Sequence, residues 1–211
     1  MTPDPECLFM KGNKVHAVNS YMVICIPKNA STWLQKNLGT AVPSTKPSNI
    51  NKVCVLRDPI ERWASGVAEY ISSTPGSERN ERLVLKFFRN ARETVLSNGV
   101  KAKVGFNGAE GLDVHTKPQN RFVSKAGDRT TWFYLDEQFT ENFFTWASAK
   151  KITIPYKHEK KINVTEKNTI KSDLAKHYLK LVSQDDFLQS KVKYFYQEDY
   201  DLIERVEFYG K

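Results

Sequence analysis

Tyr21–Trp33 (YMVICIPKNASTW) and Lys52–Ser65 (KVCVLRDPIERWAS) are the two stretches of sequence that decide the fold. Each begins with a short apolar run, Tyr21–Ile26 or Lys52–Leu56, and such runs are typical of buried parallel strands. The residues after each run predict a turn and then a helix. Two strand–turn–helix units in succession indicate an α/β fold.

The helix after the second strand has the clearest start in the chain. In Asp58–Glu61 (DPIE), the Asp is a suitable N-cap, the Pro fits the first helical position and the Glu completes a capping box. Apolar residues at helical spacing then predict one buried face, made of Ile60, Trp63, Ala64, Val67 and Ile71. After the first strand, Ser31–Leu38 is a shorter predicted helix that ends before Gly39.

The rest of the chain continues the alternation of strands and helices. We predict a helix from about Glu78 to Ser97, strands at Thr131–Leu135 and Lys151–Ile154, and helices at Phe139–Ala147, Thr169–Val182 and Asp185–Tyr196. Val42–Asn51 and Gly99–Gly127 are predicted loops, and the length of the second favours a functional loop. The pattern predicts three layers with a mainly parallel central sheet, whose ligands bind beyond the carboxyl ends of the strands.

Length and composition favour one globular domain over residues 1–211. Hydrophobic residues make up 40% and charged residues 27%, which excludes a disordered chain. The net charge of +8 favours an anionic partner without identifying it. Three cysteines without CxxC spacing argue against a disulfide scaffold or a zinc site. We see no signal peptide and no membrane span, so a cytoplasmic protein is expected.

The first candidate site is the turn between the first strand and its helix. A turn that opens a helix directs backbone N–H groups and the positive end of the helix dipole at an anion. Lys28 adds a cation, and Ser31 and Thr32 add hydroxyl donors. These features predict a phosphate-binding loop, although it lacks the glycines of the GxxxxGK[ST] form. An ordinary capped turn with a surface lysine would give the same residues.

The second candidate site follows the second strand. Arg57 lies just before the helix cap and provides a forked, permanently charged phosphate donor. Ser65, two helical turns further on, lies off the apolar face and provides a hydroxyl. The alternative is that Arg57 and Arg62 pair with the acids nearby, which are Asp58, Glu61 and Glu69.

Taken together, the two segments resemble the signatures of the sulfotransferase superfamily. Pro27–Trp33 matches the pattern P-K-x-x-[ST]-T-W, and Arg57–Ser65 matches R-D-P-x-x-R-x-x-S. The resemblance implies a P-loop-like sulfotransferase fold and a donor, 3′-phosphoadenosine 5′-phosphosulfate (PAPS). It further implies that the 5′-phosphosulfate is bound by Lys28, Asn29, Ala30, Ser31, Thr32 and Trp33, and the 3′-phosphate by Arg57 and Ser65.

Three more segments are similar, less specifically, to carbohydrate-type sulfotransferases. Asp113–Phe122 contains H-x-x-P-Q, Ile154–His158 with Asn163 resembles a segment after a late strand, and Tyr196–Ile203 contains Y-x-x-D-Y-x-L. The resemblance implies a hydroxyl acceptor, with carbohydrate as the favoured class, and no metal. The chain lacks the membrane anchor of Golgi relatives, which favours a cytoplasmic enzyme. Glycan, lipid, small alcohol and tyrosine all stay open as acceptors.

The mechanism expected for such an enzyme is an in-line displacement that depends on positioning and charge stabilisation. Lys28 would neutralise charge on the oxygen that leaves with the nucleotide. His115, in the long loop, is the first candidate for the base that accepts the acceptor's proton. A surface-loop histidine is the alternative interpretation of His115, and His158 is the second candidate base. His16 and His177 are expected to be structural.

Two other classes of protein fit parts of the pattern. A nucleotide-binding, kinase-like protein would need a glycine-rich loop and a magnesium-binding aspartate, whereas Asp58 is better explained as a cap. A basic nucleic-acid-binding module would fit the net charge, but the sequence has no zinc motif, no RNP motif and no localised basic run. A PAPS-dependent sulfotransferase without a nucleic-acid partner is therefore the favoured hypothesis.

Overall fold

The computed structural model describes residues 7–10, 21–38, 51–73, 81–96, 99, 101–123, 129–152 and 169–211. The chain divides into two compact units, the first made of Met1–Arg57, Phe122–Val164 and Arg205–Lys211, the second of Asp58–Arg121 and Thr165–Glu204. The expectation of one domain stays a prediction. In the described ranges, no helix is long and apolar enough to cross a membrane.

The described elements alternate between strands and helices for most of the chain. The strands are β1 (Cys7–Met10), β2 (Tyr21–Cys25), β3 (Asn51–Leu56), β4 (Arg92–Val95), β5 (Lys101–Val104) and β6 (Thr130–Tyr134). The helices are α1 (Ser31–Leu38), α2 (Pro59–Ser72), α3 (Glu81–Arg89), α4 (Phe139–Ala149), α5 (Thr169–Gln184), α6 (Asp186–Phe195) and α7 (Gln197–Arg205), with a short 3₁₀ helix at Gln119–Arg121.

The first unit contains a four-stranded sheet in the order β1-β2-β3-β6. β2 pairs with β3 in parallel, with Val23 opposite Val53, and β3 pairs with β6 in parallel, with Val55 opposite Phe133. β1 is antiparallel to β2. The prediction of an α/β fold with a mainly parallel sheet is therefore confirmed. Because β2 and β3 are parallel neighbours, the segments that follow them leave the same edge of the sheet.

The core of the first unit explains why the apolar runs are strands. Val53–Leu56 is almost completely buried, as expected for a parallel strand covered on both faces. Burial raises the pKa of the Cys54 thiol, so this free cysteine stays protonated. Aromatic rings of α1, β6 and α4 fill one side of the sheet, and they are Trp33, Phe133, Phe139, Phe143 and Trp146.

The second unit is a helical cluster with a two-stranded hairpin, β4–β5. α2 packs along α5, and α3 packs on α6. The apolar face predicted for α2 is confirmed at Trp63, Ala64 and Val67, which are completely buried. Trp63 meets the rings of Phe88 and Tyr178 edge-on, so α2 lies at the centre of this core.

The predicted helix from Glu78 to Ser97 is wrong in its second half. α3 ends at Arg89, where the Asn90 amide donates to the Lys86 carbonyl, and Arg92–Val95 (RETV) forms strand β4. β4 pairs with β5 in the antiparallel direction, and Lys103 and Lys101 flank Glu93 in this pairing. Hydrogen bonds from these two lysines lower the pKa of Glu93. β5 also shows that the predicted loop Gly99–Gly127 contains regular structure.

Smaller corrections concern the ends of elements. Lys151 and Ile152 do not start a strand, because they form the turn that closes α4, with Lys151 at a positive φ of 53°. The rest of that predicted strand lies outside the described residues, as do His16, His158, Asn163 and nearly all of the predicted loop Val42–Asn51. α7 had no predicted counterpart.

Candidate functional site

The turn after β2 has an unusual backbone. Lys28 has φ 71° and Ala30 has φ 57°, a left-handed conformation that residues other than glycine adopt at a cost of about 1–2 kcal/mol each. The Asn29 N–H donates to the Ile26 carbonyl at 3.1 Å, and the Leu34 N–H donates to the Ala30 carbonyl at 2.9 Å. Turns with left-handed residues direct backbone N–H groups into concave anion-binding sites.

The side chain of Asn29 attaches this turn to the neighbouring strand. Asn29 is only 1% exposed, and its Nδ2 donates to the Val55 carbonyl of β3 at 2.8 Å. Arg57, directly after β3, reaches back through Nη1 to the Lys28 carbonyl at 3.4 Å. Within the first unit, the structure therefore brings together two of the residues predicted for the donor site, Lys28 and Arg57.

The remaining residues of the first motif begin helix α1. Ser31 is half-buried and Thr32 is exposed, and both lie in the first helical turn, where the helix dipole favours an anion. Trp33 packs edge-on against Phe139 and Phe143, with ring centroids 5.6 and 5.2 Å apart. The indole of Trp33 thus fixes the start of α1 on the core of the first unit.

Helix α2 carries the second motif into the second unit. The Asp58 carboxylate accepts from the Glu61 N–H at 2.9 Å and Pro59 begins the helix, which confirms the predicted cap. Ser65 lies half-buried two turns further on. Arg62 is completely buried, and its Nη1 donates to the Lys117 carbonyl at 2.6 Å.

The H-x-x-P-Q segment of the second unit is a compact turn. Thr116 is completely buried, and its Oγ1 accepts from the N–H groups of Leu112 at 2.7 Å and Asp113 at 3.1 Å. The Thr116 N–H donates to the Asp113 carbonyl at 3.2 Å. The predicted functional loop is therefore ordered at this point by its own hydrogen bonds.

His115 is bound by a carboxylate of the same turn. The His115 N–H donates to Asp113 Oδ1 at 2.9 Å, and the imidazole Nδ1 lies 3.0 Å from Asp113 Oδ2. The His115 side chain is 32% exposed and the Asp113 side chain 24%. Sequence reasoning missed Asp113, because an acid two residues before a histidine does not by itself indicate a contact between the two side chains.

Helix α2 supports this turn from one side. A Cβ added to Gly66, the neighbour of Ser65, would lie 2.4 Å from the His115 carbonyl oxygen, so only glycine fits there. The Arg62 bond to Lys117 lies one turn earlier on the same helix. The second motif and the H-x-x-P-Q segment are thus in direct contact.

The C-terminal Y-x-x-D-Y-x-L segment supports the turn from another side. The Tyr196 hydroxyl donates to the Thr116 carbonyl at 2.5 Å, and burial raises the pKa of this phenol, which keeps it a donor. The buried Asp199 carboxylate accepts from the N–H groups of Gln119 at 2.8 Å and Asn120 at 2.9 Å. Burial raises the pKa of Asp199, although Arg62 and these two donors act in the opposite direction.

The other described histidine is His177 on α5. Its Nε2 lies 2.8 Å from the Glu81 carboxylate in an exposed pair on the surface of the second unit. Its expected structural role stays a prediction. Among the residues with described positions, no group of three His, Cys, Asp or Glu side chains could hold a metal ion.

The two units offer different chemistry. The first unit has a left-handed turn, the start of a helix, a lysine and an arginine directly after β2 and β3, which suits a phosphate or sulfate. The second unit holds an imidazole against a carboxylate, which suits proton transfer. No protein-family model, no curated protein and no solved structure matches the chain.

Replacing Asn29 with alanine is expected to destabilise the protein by about 1–3 kcal/mol, because the buried Val55 carbonyl loses its donor. Thermal unfolding measures the effect. Asn90→Ala is the matched control, since Asn90 makes the same amide-to-carbonyl bond of 2.8 Å on an exposed surface. The control should change stability by less than about 0.5 kcal/mol. Equal losses in the two variants would contradict the role given to Asn29.

Proposed function

We propose that this protein is a sulfotransferase that transfers the sulfuryl group of PAPS to an acceptor hydroxyl, with carbohydrate as the favoured acceptor class. The proposal includes the P-loop-like sulfotransferase fold. One observation carries it: segments that match three separate sequence patterns contact each other in the second unit. Arg62 bonds to Lys117 inside H-x-x-P-Q, and Tyr196 and Asp199 bond to Thr116 and Gln119 of the same segment.

These contacts support the resemblance because they are not demanded by local sequence. Tyr196 and Thr116 are 80 residues apart, as are Asp199 and Gln119. Segments that matched the family patterns by chance would have no reason to meet through the side chains of Arg62, Tyr196 and Asp199, which the patterns specify. Their meeting supports a common origin for the patterns and therefore a common chemistry.

The first unit supports the part of the proposal that concerns the donor. PAPS supplies the sulfuryl group and two phosphate-like anions for recognition. We assign the 5′-phosphosulfate to the turn Lys28–Trp33, whose left-handed residues and helix start suit an anion. We assign the 3′-phosphate to Arg57, because a guanidinium binds phosphate with a planar pair of donors. Ser65 of the second unit has the role that the resemblance implies.

In the reaction, the acceptor oxygen forms a bond to sulfur while the bond from sulfur to the phosphate oxygen breaks. Lys28 neutralises the charge that develops on that phosphate oxygen. His115 accepts the hydroxyl proton, since imidazole is a base near neutral pH. All the atoms and charges of the transfer are thereby balanced without a further reactant.

The kinase-like alternative has less support from the described residues. The turn Pro27–Ser31 contains no glycine. Asp58, an acid inside the second motif, accepts the Glu61 N–H through Oδ1 as a helix cap, which explains its carboxylate without a metal. Metal-independent binding of adenosine 3′,5′-bisphosphate separates the two functions.

Adenosine 3′,5′-bisphosphate is expected to raise the unfolding temperature without any metal, and adenosine 5′-monophosphate much less. A ligand that binds only the native state adds about 2.7 kcal/mol of stability at a hundred times its Kd. The monophosphate leaves Arg57 without its phosphate. Arg57→Ala should therefore remove the difference between the two nucleotides, which a thermal-shift titration measures.

Arg82→Ala, at an exposed position on α3, is the control that should keep the difference. Equal shifts from both nucleotides in the wild-type protein would overturn the 3′-phosphate assignment. Sulfate transfer itself is tested with PAPS and a panel of glycan, lipid, small-alcohol and tyrosine acceptors, detected by mass. A donor that is not consumed with any acceptor would refute the proposed reaction.

A further inference from the structure

We propose that Asp113 is a positioning residue that holds the imidazole of His115 in its Nδ1–H tautomer, so that Nε2 is the proton acceptor. The catalytic part rests on the proposed function. The tautomer itself is a property of the folded chain and is measured without any reaction.

The geometry of the pair sets the direction of the hydrogen bond. An ionised carboxylate can only accept, so the 3.0 Å contact between Asp113 Oδ2 and His115 Nδ1 places the proton on Nδ1. A neutral imidazole carries one proton, and therefore Nε2 has the lone pair. Asp113 Oδ1 simultaneously accepts the His115 backbone N–H at 2.9 Å, which keeps the carboxylate in one orientation.

The pair differs from an ordinary surface contact. His177 and Glu81 come from two different helices, and their side chains are 51% and 46% exposed. Asp113 and His115 belong to one turn, are more buried, and are closed around the fully buried Thr116. Because both side chains belong to one short turn, the Asp113 carboxylate can orient the His115 imidazole with little further loss of side-chain entropy.

Contacts from other elements fix the backbone of this turn at three consecutive carbonyls. The His115 carbonyl lies against Gly66, the Thr116 carbonyl accepts from Tyr196, and the Lys117 carbonyl accepts from Arg62. Charged or titratable groups brought to the segment from α2 and from the α6–α7 region include Arg62, Tyr196 and Asp199. A backbone held at three consecutive residues gives the base the fixed direction that proton transfer requires.

Asp113→Asn separates the two roles of the carboxylate. The amide oxygen can still accept the His115 N–H, so the turn is kept. The amide NH₂ then faces Nδ1 and donates to it, which moves the imidazole proton to Nε2. The substitution is isosteric and reverses the tautomer.

The tautomer is measured on ¹⁵N-labelled protein by two-bond ¹H–¹⁵N correlation at about pH 8, above the ordinary pKa of free imidazole. His115→Gln identifies the His115 signals among the four histidines of the chain. We expect the Nδ1–H form in the wild-type protein and the Nε2–H form in Asp113→Asn. An Nε2–H form in the wild-type protein overturns the proposal, and this spectrum decides even if the variant does not fold.

The transfer reaction gives the second measurement. Asp113→Asn should lower kcat about 10- to 100-fold with unchanged KM for PAPS, because one hydrogen bond changes the ratio of the two imidazole tautomers by this factor. Glu81→Gln, the same change at the His177 pair, is expected to keep wild-type kcat. A reversed tautomer with unchanged kcat would overturn the positioning role. A wild-type protein without transfer activity would instead refute the proposed function, while the spectrum still decides the tautomer.

Discussion

His115→Ala is expected to lower kcat for sulfate transfer by about 10²–10⁴, the usual contribution of one general base. The acidic limb of the pH–rate profile should disappear with the imidazole, because protonation of the base causes that limb. Binding of adenosine 3′,5′-bisphosphate should be nearly unchanged, since the residues assigned to its phosphates are others. Steady-state kinetics across pH and a thermal-shift titration measure the two effects.

His177→Ala is the matched control for this experiment. His177 also contacts a carboxylate, at 2.8 Å, but lies on the exposed surface of α5. The control is expected to keep both kcat and the acidic limb. A His115→Ala variant with wild-type rate and limb would contradict the assignment, and His158 would be tested next.

The parts of the fold that the sequence predicts well are those with local causes. The cap at Asp58 and the apolar spacing from Trp63 to Val67 lie within one helix, and α2 was predicted with its buried face. The runs that became β2 and β3 are apolar throughout, because parallel strands are covered on both faces. Local signals of this kind need no knowledge of what the element packs against.

The second half of the predicted helix Glu78–Ser97 failed for the opposite reason. Arg92–Val95 is a strand because Lys101–Val104 pairs with it, and a pairing partner later in the chain has no local signature. The left-handed residues Lys28 and Ala30 were equally hidden, since glycine is the usual sign of that backbone. Strain at such positions is fixed by surrounding contacts such as the Asn29 bond to β3.

The same difference between local signals and long-range contacts applies to the candidate site. Lys28, Arg57 and His115 were found from residue types and patterns. The residues that hold the His115 segment in place were not found, because Arg62 donates to a carbonyl 55 residues away and Tyr196 donates to one 80 residues away. Asp113 is close to His115 in sequence, yet an Asp-x-His spacing becomes informative only once the turn brings Oδ2 to Nδ1.

Replacing Lys28 should affect turnover more than nucleotide binding, whereas replacing Arg57 should affect nucleotide binding. Lys28→Ala is expected to lower kcat by about 10²–10³ and to weaken bisphosphate binding only a few-fold. The charge on the leaving phosphate oxygen is largest in the transition state, and a contact that is stronger there affects turnover more than ground-state binding. Single-turnover kinetics with PAPS, together with titration of the bisphosphate, separate the two quantities.

Lys151→Ala is the matched control, because Lys151 is a second lysine of the first unit with a positive φ, 53°, and is exposed. Alanine at either position keeps the left-handed backbone, so the two variants share the same local strain and differ in the position of the lost charge. The control is expected to retain kcat and bisphosphate affinity. Lys28→Ala with near-normal turnover and weakened donor binding would contradict the transition-state role. The lysine would then act on the bound ground state, and stabilisation of the leaving oxygen would have to come from the backbone N–H groups of the turn.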